Sequence, residues 1–228
     1  MEVSAVIVAR GGSRRLAGKN LLLINGETLL ARKIRQLQGA EAIHRVVVGS
    51  EDPKILDEAV RAGAEAIERP AHYCDESSVT ANEMIGNMIS LFQTDLVVWA
   101  HCTNPLLSSH TYDRAIRAFF DALNAGFDSL ISVFEMREHL WGSDRKPFNY
   151  NPYGPAHPLA STLSPLYAQD GGIFIQPHEQ MKKNSYFFGK SPFLFEIPAE
   201  EVMDINTPHE FSVAKAFIES VESRVLQV

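Results

Sequence analysis

The apolar run Val3–Ala9 stops abruptly at Arg10-Gly11-Gly12-Ser13. A short β-branched segment breaking into glycine reads as a buried strand that delivers a loop. The same rhythm then repeats along the chain. Gly26-Glu27-Thr28 opens a helical pattern with Leu29, Ile34 and Leu37 on one face, and Arg45–Gly49 is a second strand, with Ser50 as the N-cap of the helix that follows. Next come a helix over Pro53–Ala62, a strand over Ala64–Ile67, a helix over Thr80–Phe92 and a strand over Leu96–Ala100. A helix over Thr111–Asn124 and a strand over Ser129–Phe134 complete the series. Such alternation closes its core as a doubly wound, mostly parallel sheet covered by helices.

The rhythm breaks from Glu138 to about Ser164, where Trp, Pro, Asn, Tyr and Gly follow no steady period, so a long functional loop or interaction arm is expected. Strands resume at Gly172–Ile175 and Phe193–Ile197, and Pro208–Val221 forms a closing helix with Phe211, Ala214 and Phe217 at helical spacing. With 228 residues, 45% of them hydrophobic, the chain suits a single α/β unit.

The formal charge of -7 speaks against a nucleic-acid polymer as the ligand, because that binding rests on clustered lysine and arginine. No segment is long and apolar enough for a membrane span, and the first apolar run is too short for a signal sequence, so a soluble cytoplasmic protein is expected. The two cysteines, Cys74 and Cys102, have neither the spacing nor the histidine neighbours of a zinc site or disulfide scaffold.

The stretch Arg10-Gly11-Gly12-Ser13-Arg14-Arg15-Leu16-Ala17-Gly18-Lys19-Asn20 carries the chemistry. Glycines at a strand end let backbone N–H groups approach phosphate oxygens, and Arg10, Arg14, Arg15 and Lys19 supply opposite charge. The loop is not of the Walker type, since Ser13 and Asn20 stand where that motif needs glycine and Ser or Thr. Nor is it a dinucleotide fingerprint, because Gly11 and Gly12 are adjacent.

Ala9–Ser13 with Lys19-Asn20 resembles the signature loop of the acylneuraminate cytidylyltransferase family. Further segments match that family in order: Val46–Asp52, Glu68-Arg69-Pro70-Ala71, Thr103-Asn104-Pro105-Leu106, Gly171–Ile175 and Asp204-Ile205-Asn206-Thr207. The resemblance implies a three-layer nucleotide-diphospho-sugar transferase fold, similar to that of GT-A enzymes, with the arm at about 138–168 serving dimerisation and acceptor binding. It implies a cytidylyltransferase that moves CMP from CTP to the hydroxyl of a sialic- or ulosonic-type sugar and releases pyrophosphate, as in cell-surface polysaccharide biosynthesis. The nucleotide would lie on Gly11, Gly12, Ser13, Arg14 and Asn20, with Arg69 and a polar group among Ser78, Thr80 and Asn82 lining the cytosine and ribose pocket. His101 occupies the place of a glutamine near the nucleotide and Thr103 follows it.

Phosphoryl transfer needs a polarised α-phosphate and a neutralised leaving group. The resemblance assigns Arg10 and Lys19 to that work, and Asp204 with Asn206 to Mg²⁺. The family's second aspartate in this motif is an amide here, which removes one negative charge from the metal site. Asp204 also suits the N-terminal region of the closing helix. On the acceptor side, Ala160 and Ala168 stand near the places where sialic-acid-activating relatives carry arginines. A carboxylate acceptor would then rely on Arg137, Arg145, Lys146 or His157. These departures leave open an amino-sugar or phosphonate acceptor, or a nucleotide-binding homologue with little turnover. A homodimer built through the arm is expected. A generic glycosyltransferase is disfavoured, because no Asp-x-Asp motif follows the strand at Leu96–Ala100.

Overall fold

The computed structural model describes residues 1–13, 15–75 and 77–225, without the side chains of the last two of these. Seven strands form the main sheet: β1 (Val3–Val8), β4 (Arg45–Ser50), β5 (Glu65–Glu68), β6 (Leu96–Ala100), β7 (Ser129–Met136), β8 (Leu166–Pro177) and β9 (Pro192–Glu196). A two-stranded hairpin, β2 (Leu23–Ile24) and β3 (Glu27–Thr28), lies apart from it. The strand order is β5-β4-β1-β6-β8-β7-β9, and β8 runs antiparallel to both its neighbours in an otherwise parallel sheet.

Alternate residues of the central strands feed two cores. On one face, Ala5, Ile7, Val48, Val98 and Ala100 pack against α1 (Leu29–Gln38), α2 (Pro53–Arg61), α4 (Ser109–Asn124) and α6 (Pro208–Val225). On the other, Val6, Val47, Val97 and Trp99 meet α3 (Ala81–Ser90) and α5 (His178–Asn184). Strands buried on both faces need the near-continuous apolar runs the sequence shows. The result is the expected three-layer, mostly parallel α/β architecture.

The differences are local. Asp52, not Ser50, caps α2: its carboxylate accepts from Lys54 N–H, while Ser50 Oγ accepts from Asp52 N–H. Thr207 and Glu210 cap α6, so Asp204 is not needed there. Phe217 is exposed on α6, whose buried contacts come from Ala214 and Ile218. The irregular arm ends at Pro165, and Leu166–Ala168 already belongs to β8, so the expected arm is shorter at its C-terminal end. Strand β8 starts six residues before the expected Gly172 because Leu166–Gln169 pairs with Val133–Met136 across a register shift. The shift opens a bulge over 170–173, and bulges of this kind re-aim side chains beside functional sites.

Candidate functional site

The chain leaves β1 to build β4 and β5 on one side and returns to place β6 on the other. A crevice therefore opens beyond the carboxyl ends of β1 and β6, the position favoured for ligands in such sheets. Here it is a cleft of about 910 Å³, lined by Arg10, Ser13, Arg15, Lys19, Asn20, Arg69, Thr80, His101, Thr103, Asp204 and Asn206 among others. These residues are far apart in the sequence, and the fold brings them around one cleft.

The glycine loop is braced from beneath. Gly11 N–H donates to Glu51 Oε1 at 2.9 Å, and a Cβ at Gly11 would run into the Asp52 carboxylate that caps α2, so a larger residue must push that side chain aside. Asn20, buried, donates from Nδ2 to the Arg10 carbonyl at 3.1 Å and closes the loop on itself. Gly11 is thus a packing glycine with its N–H committed to Glu51, and Gly12 stands exposed in open space. Arg14 lies outside the described residues.

Lys19 reaches across the cleft. Its Nζ donates to the Ile205 carbonyl at 3.0 Å, which ties the loop to the Asp204 segment. Burial lowers the pKa of its ammonium; the field of Asp204 opposes that shift, while Arg15 and Arg10 add to it. Beside it, Arg15 Nη2 donates to Asn206 Oδ1 at 2.7 Å, and Asn206 Nδ2 donates to Asp204 Oδ2 at 2.5 Å. Asp204 itself is exposed.

At the other end Arg69 is only 2% exposed. Its Nε donates to Asn87 Oδ1 and its Nη2 to the Met84 carbonyl, whereas buried Nη1 has no protein partner. An unpaired buried guanidinium N–H on a cleft wall is costly unless a ligand accepts from it. Thr80 is on the wall, but its hydroxyl serves the capping box of α3 with Glu83. Ser78 and Asn82 are placed off the wall: Ser78 Oγ donates to Asp75 in a local turn, and Asn82 Nδ2 donates to the Ser185 carbonyl.

His101 has both ring nitrogens committed. Nδ1–H donates to the Gly171 carbonyl at 2.6 Å and Nε2 accepts from Trp99 Nε1–H at 3.2 Å. Burial pushes its pKa down, so the ring is a neutral brace for the cleft wall. Several cleft residues carried no site role from the sequence, Tyr73, Asn104, Gln169 and Asp170 among them. Asn104 stood in a matched motif and Asp170 just before one, yet nothing in their spacing showed that a bulge in β8 would bring Asp170 to the cleft. None of Arg137, Arg145, Lys146 or His157 lines it; Arg137 Nη1 donates to the Leu163 carbonyl and the His157 ring stacks on His139.

The cationic loop beside Asp204 at the mouth of a mostly parallel sheet is the setting of a nucleotidyltransferase, the class to which the sequence comparisons assign the chain. The chain belongs to the cytidylyltransferase family, whose sequence model matches residues 4–145. It is 26% identical to CMP-N,N'-diacetyllegionaminic acid synthase of Legionella pneumophila over 96% of this chain and 97% of that protein. It is 23% identical to the pseudaminic acid cytidylyltransferase of Campylobacter jejuni, over 94% and 95%. Among solved structures, the fold is similar to that of CMP:2-keto-3-deoxy-manno-octonic acid synthetase complexed with CTP, at a TM-score of 0.71, 15% identity and coverage of 96% and 99%. The 4-diphosphocytidyl-2C-methyl-D-erythritol synthase of Anaerococcus prevotii superposes with a TM-score of 0.68 at 12% identity, covering 96% of each chain. Among the described residues, no helix is long and apolar enough to cross a membrane.

Proposed function

We propose that this chain transfers CMP from CTP to the hydroxyl of an acidic sugar of the sialic or ulosonic type and releases pyrophosphate. The observation that carries this reading is the cleft itself, with Arg10, Arg15 and Lys19 on one side and Asp204 on the other. The triphosphate rests along the loop between Arg10 and Lys19. The unpaired Arg69 Nη1 donates to the cytosine carbonyl at the Arg69–Thr80 end of the cleft. The acceptor sits against Gln169–Gly171, its hydroxyl oxygen bonding to the α-phosphorus and giving up its proton to solvent as the bridging oxygen departs with pyrophosphate. Lys19 meets the charge that develops on that leaving group.

The donor set near Asp204 fits magnesium that takes most of its oxygens from the triphosphate. The described residues hold no cluster of three or more His, Cys, Asp or Glu side chains, and one carboxylate with one amide carbonyl is within the range of protein ligands that Mg²⁺ uses beside phosphates. Asp204 Oδ1 and, once released from Arg15, Asn206 Oδ1 would hold it; when bound, the ion polarises the α-phosphate. Lys19 and Asp204 then work from opposite sides of the same phosphates.

The chain acts in the cytoplasm as one catalytic unit with the arm as an appendage. The arm exposes Trp141, Phe148, Tyr153 and Leu159, an apolar surface suited to homodimerisation. Light scattering at micromolar concentration should return a dimer mass. A second reading keeps CTP and changes the acceptor to an amino-sugar or phosphonate; the absence of Arg137, Arg145, Lys146 and His157 from the cleft wall favours it. Pyrophosphate release from CTP, UTP, ATP and GTP against a panel of sugar acids, amino-sugars and phosphonates, with and without magnesium, tests both. Turnover of CTP with a sugar acid supports the first reading. CTP affinity with no release under any acceptor would instead mark a binding protein.

A further inference from the structure

Among the described residues no backbone hydrogen bond joins the two segments that form the far wall of the cleft, the β8 bulge at 169–171 and the 203–206 stretch that carries Asp204. One side chain joins them. Asn104, 1% exposed, donates from Nδ2 to the Asp170 carbonyl at 3.0 Å and to the Met203 carbonyl at 3.1 Å. Both amide hydrogens are spent, one on each segment, which is the full donor capacity of the group.

The joint is itself anchored. The Asn104 carbonyl accepts from Lys33 Nζ at 2.8 Å, and the same Nζ donates to Tyr112 Oη at 2.8 Å. Lys33 and Tyr112 are fully buried on α1 and α4, so the anchor is held by the two helices that cover this part of the sheet. Next door, Ile205 N–H donates to the Thr103 carbonyl at 2.8 Å. On the bulge side, Gly171 has φ +76°, and a Cβ at Gly172 would meet Leu107 at 2.4 Å and Asp170 Oδ2 at 2.5 Å. The two glycines let the chain turn tightly enough to present the Asp170 carbonyl to Asn104.

We infer that Asn104 is a positioning residue that fixes the separation between the acceptor wall at 169–171 and the Asp204 segment. The inference rests on the proposed reaction for its catalytic consequence and on the hydrogen bonds alone for its structural one. Misplacement by about 1 Å is enough to cost on the order of a hundredfold in a reaction that depends on alignment. Among the described residues Asn104 makes no hydrogen bond to the glycine loop or to Arg69; its link to the nucleotide half runs through the 203–206 segment, which Lys19 and Arg15 meet at Ile205 and Asn206.

The test uses Asn104→Asp, which keeps shape and loses both donors, and Lys33→Met, which removes the anchor while leaving Asn104 in place. Hydrogen exchange by mass spectrometry on the full chain should show faster exchange in both 168–172 and 203–206 for each variant, with 3–9 and 96–100 unchanged. Calorimetry with CTP should show a much smaller loss of affinity than of turnover, with kcat for pyrophosphate release falling at least tenfold and the KM for acceptor rising. Faster exchange in only one segment, in neither, or uniformly through the sheet overturns the inference. So does a fall in CTP affinity that matches the fall in turnover. If the wild-type protein binds CTP and releases no pyrophosphate, the proposed reaction fails, and the exchange pattern still decides the role of Asn104. If Asn104→Asp does not fold, Lys33→Met carries the same readouts.

Discussion

Arg15 Nη2 donates to Asn206 Oδ1 at 2.7 Å, and the amide of Asn206 turns its Nδ2 onto Asp204 Oδ2. Arg15 thus bonds the amide oxygen at position 206 of the proposed magnesium site. Asn206→Asp adds a negative charge beside Asp204 and should lower the magnesium concentration needed for half-maximal pyrophosphate release by severalfold. Magnesium titrations of both proteins at saturating CTP check this. An unchanged midpoint would show that the ion does not see position 206.

Lys19 ties the phosphate loop to the Ile205 carbonyl and faces Asp204. Removing one positioned donor from a developing oxyanion costs about 10²–10³ in kcat in well-studied cases. Lys19→Ala is therefore expected to reduce CTP-dependent pyrophosphate release by that order, with its circular dichroism unchanged. A wild-type rate in this variant would remove Lys19 from the mechanism.

How far the sequence reaches is visible at these same residues. The strand periods of Val3–Val8, Arg45–Ser50 and Leu96–Ala100 were plain, because burial on both faces demands uninterrupted apolar side chains. Arg10, Lys19, Arg69 and Asp204 were recoverable from their motifs, and the structure gathers all of them on one cleft. The helix α5, the hairpin of β2 and β3 and the bulge at 170–173 were not legible. A seven-residue helix and two-residue strands carry too little periodicity, and a bulge depends on the register of a partner strand more than thirty residues away. Ser78 and Asn82 were drawn in by the family resemblance after Arg69-Pro70; their side chains are spent on the turn at Asp75 and on Ser185. The commitment of Gly11 N–H to Glu51 is likewise a tertiary fact, since it spans forty residues.

Arg69 offers a test of the nucleotide end. Its Nε and Nη2 are satisfied by Asn87 and Met84, and Nη1 is the donor without a protein partner. Arg69→Met should raise the KM for CTP by about tenfold or more, the scale of a hydrogen bond to a charged group lost from a buried site. Because the triphosphate contacts remain, the loss should be smaller for pyrophosphate as a product inhibitor than for CMP. Equal loss for both inhibitors would place Arg69 outside the base pocket.

Lys33 gives the fold a pH signature. Its ammonium is buried, and that burial lowers its pKa from 10.5 to about 7, against the favourable fields of Cys102, Asp170 and Glu201. Between pH 7 and 10.5 the unfolded chain holds a proton that the folded chain has released, so the unfolded state binds more protons and stability rises with pH across that window. Below pH 7 both states are protonated and the full cost of burying the charge is present. The neutral amine still has two N–H donors, enough for Asn104 and Tyr112, so the hydrogen bonds survive the release. Relative to Lys33→Met, the wild-type protein should therefore gain unfolding free energy on going from pH 7 to pH 9, with a slope of at most about 1.4 kcal/mol per pH unit. Urea denaturation of both proteins at matched ionic strength measures it. A difference that stays flat, or that falls with pH, would mean that Lys33 keeps its proton in the folded state well above neutrality.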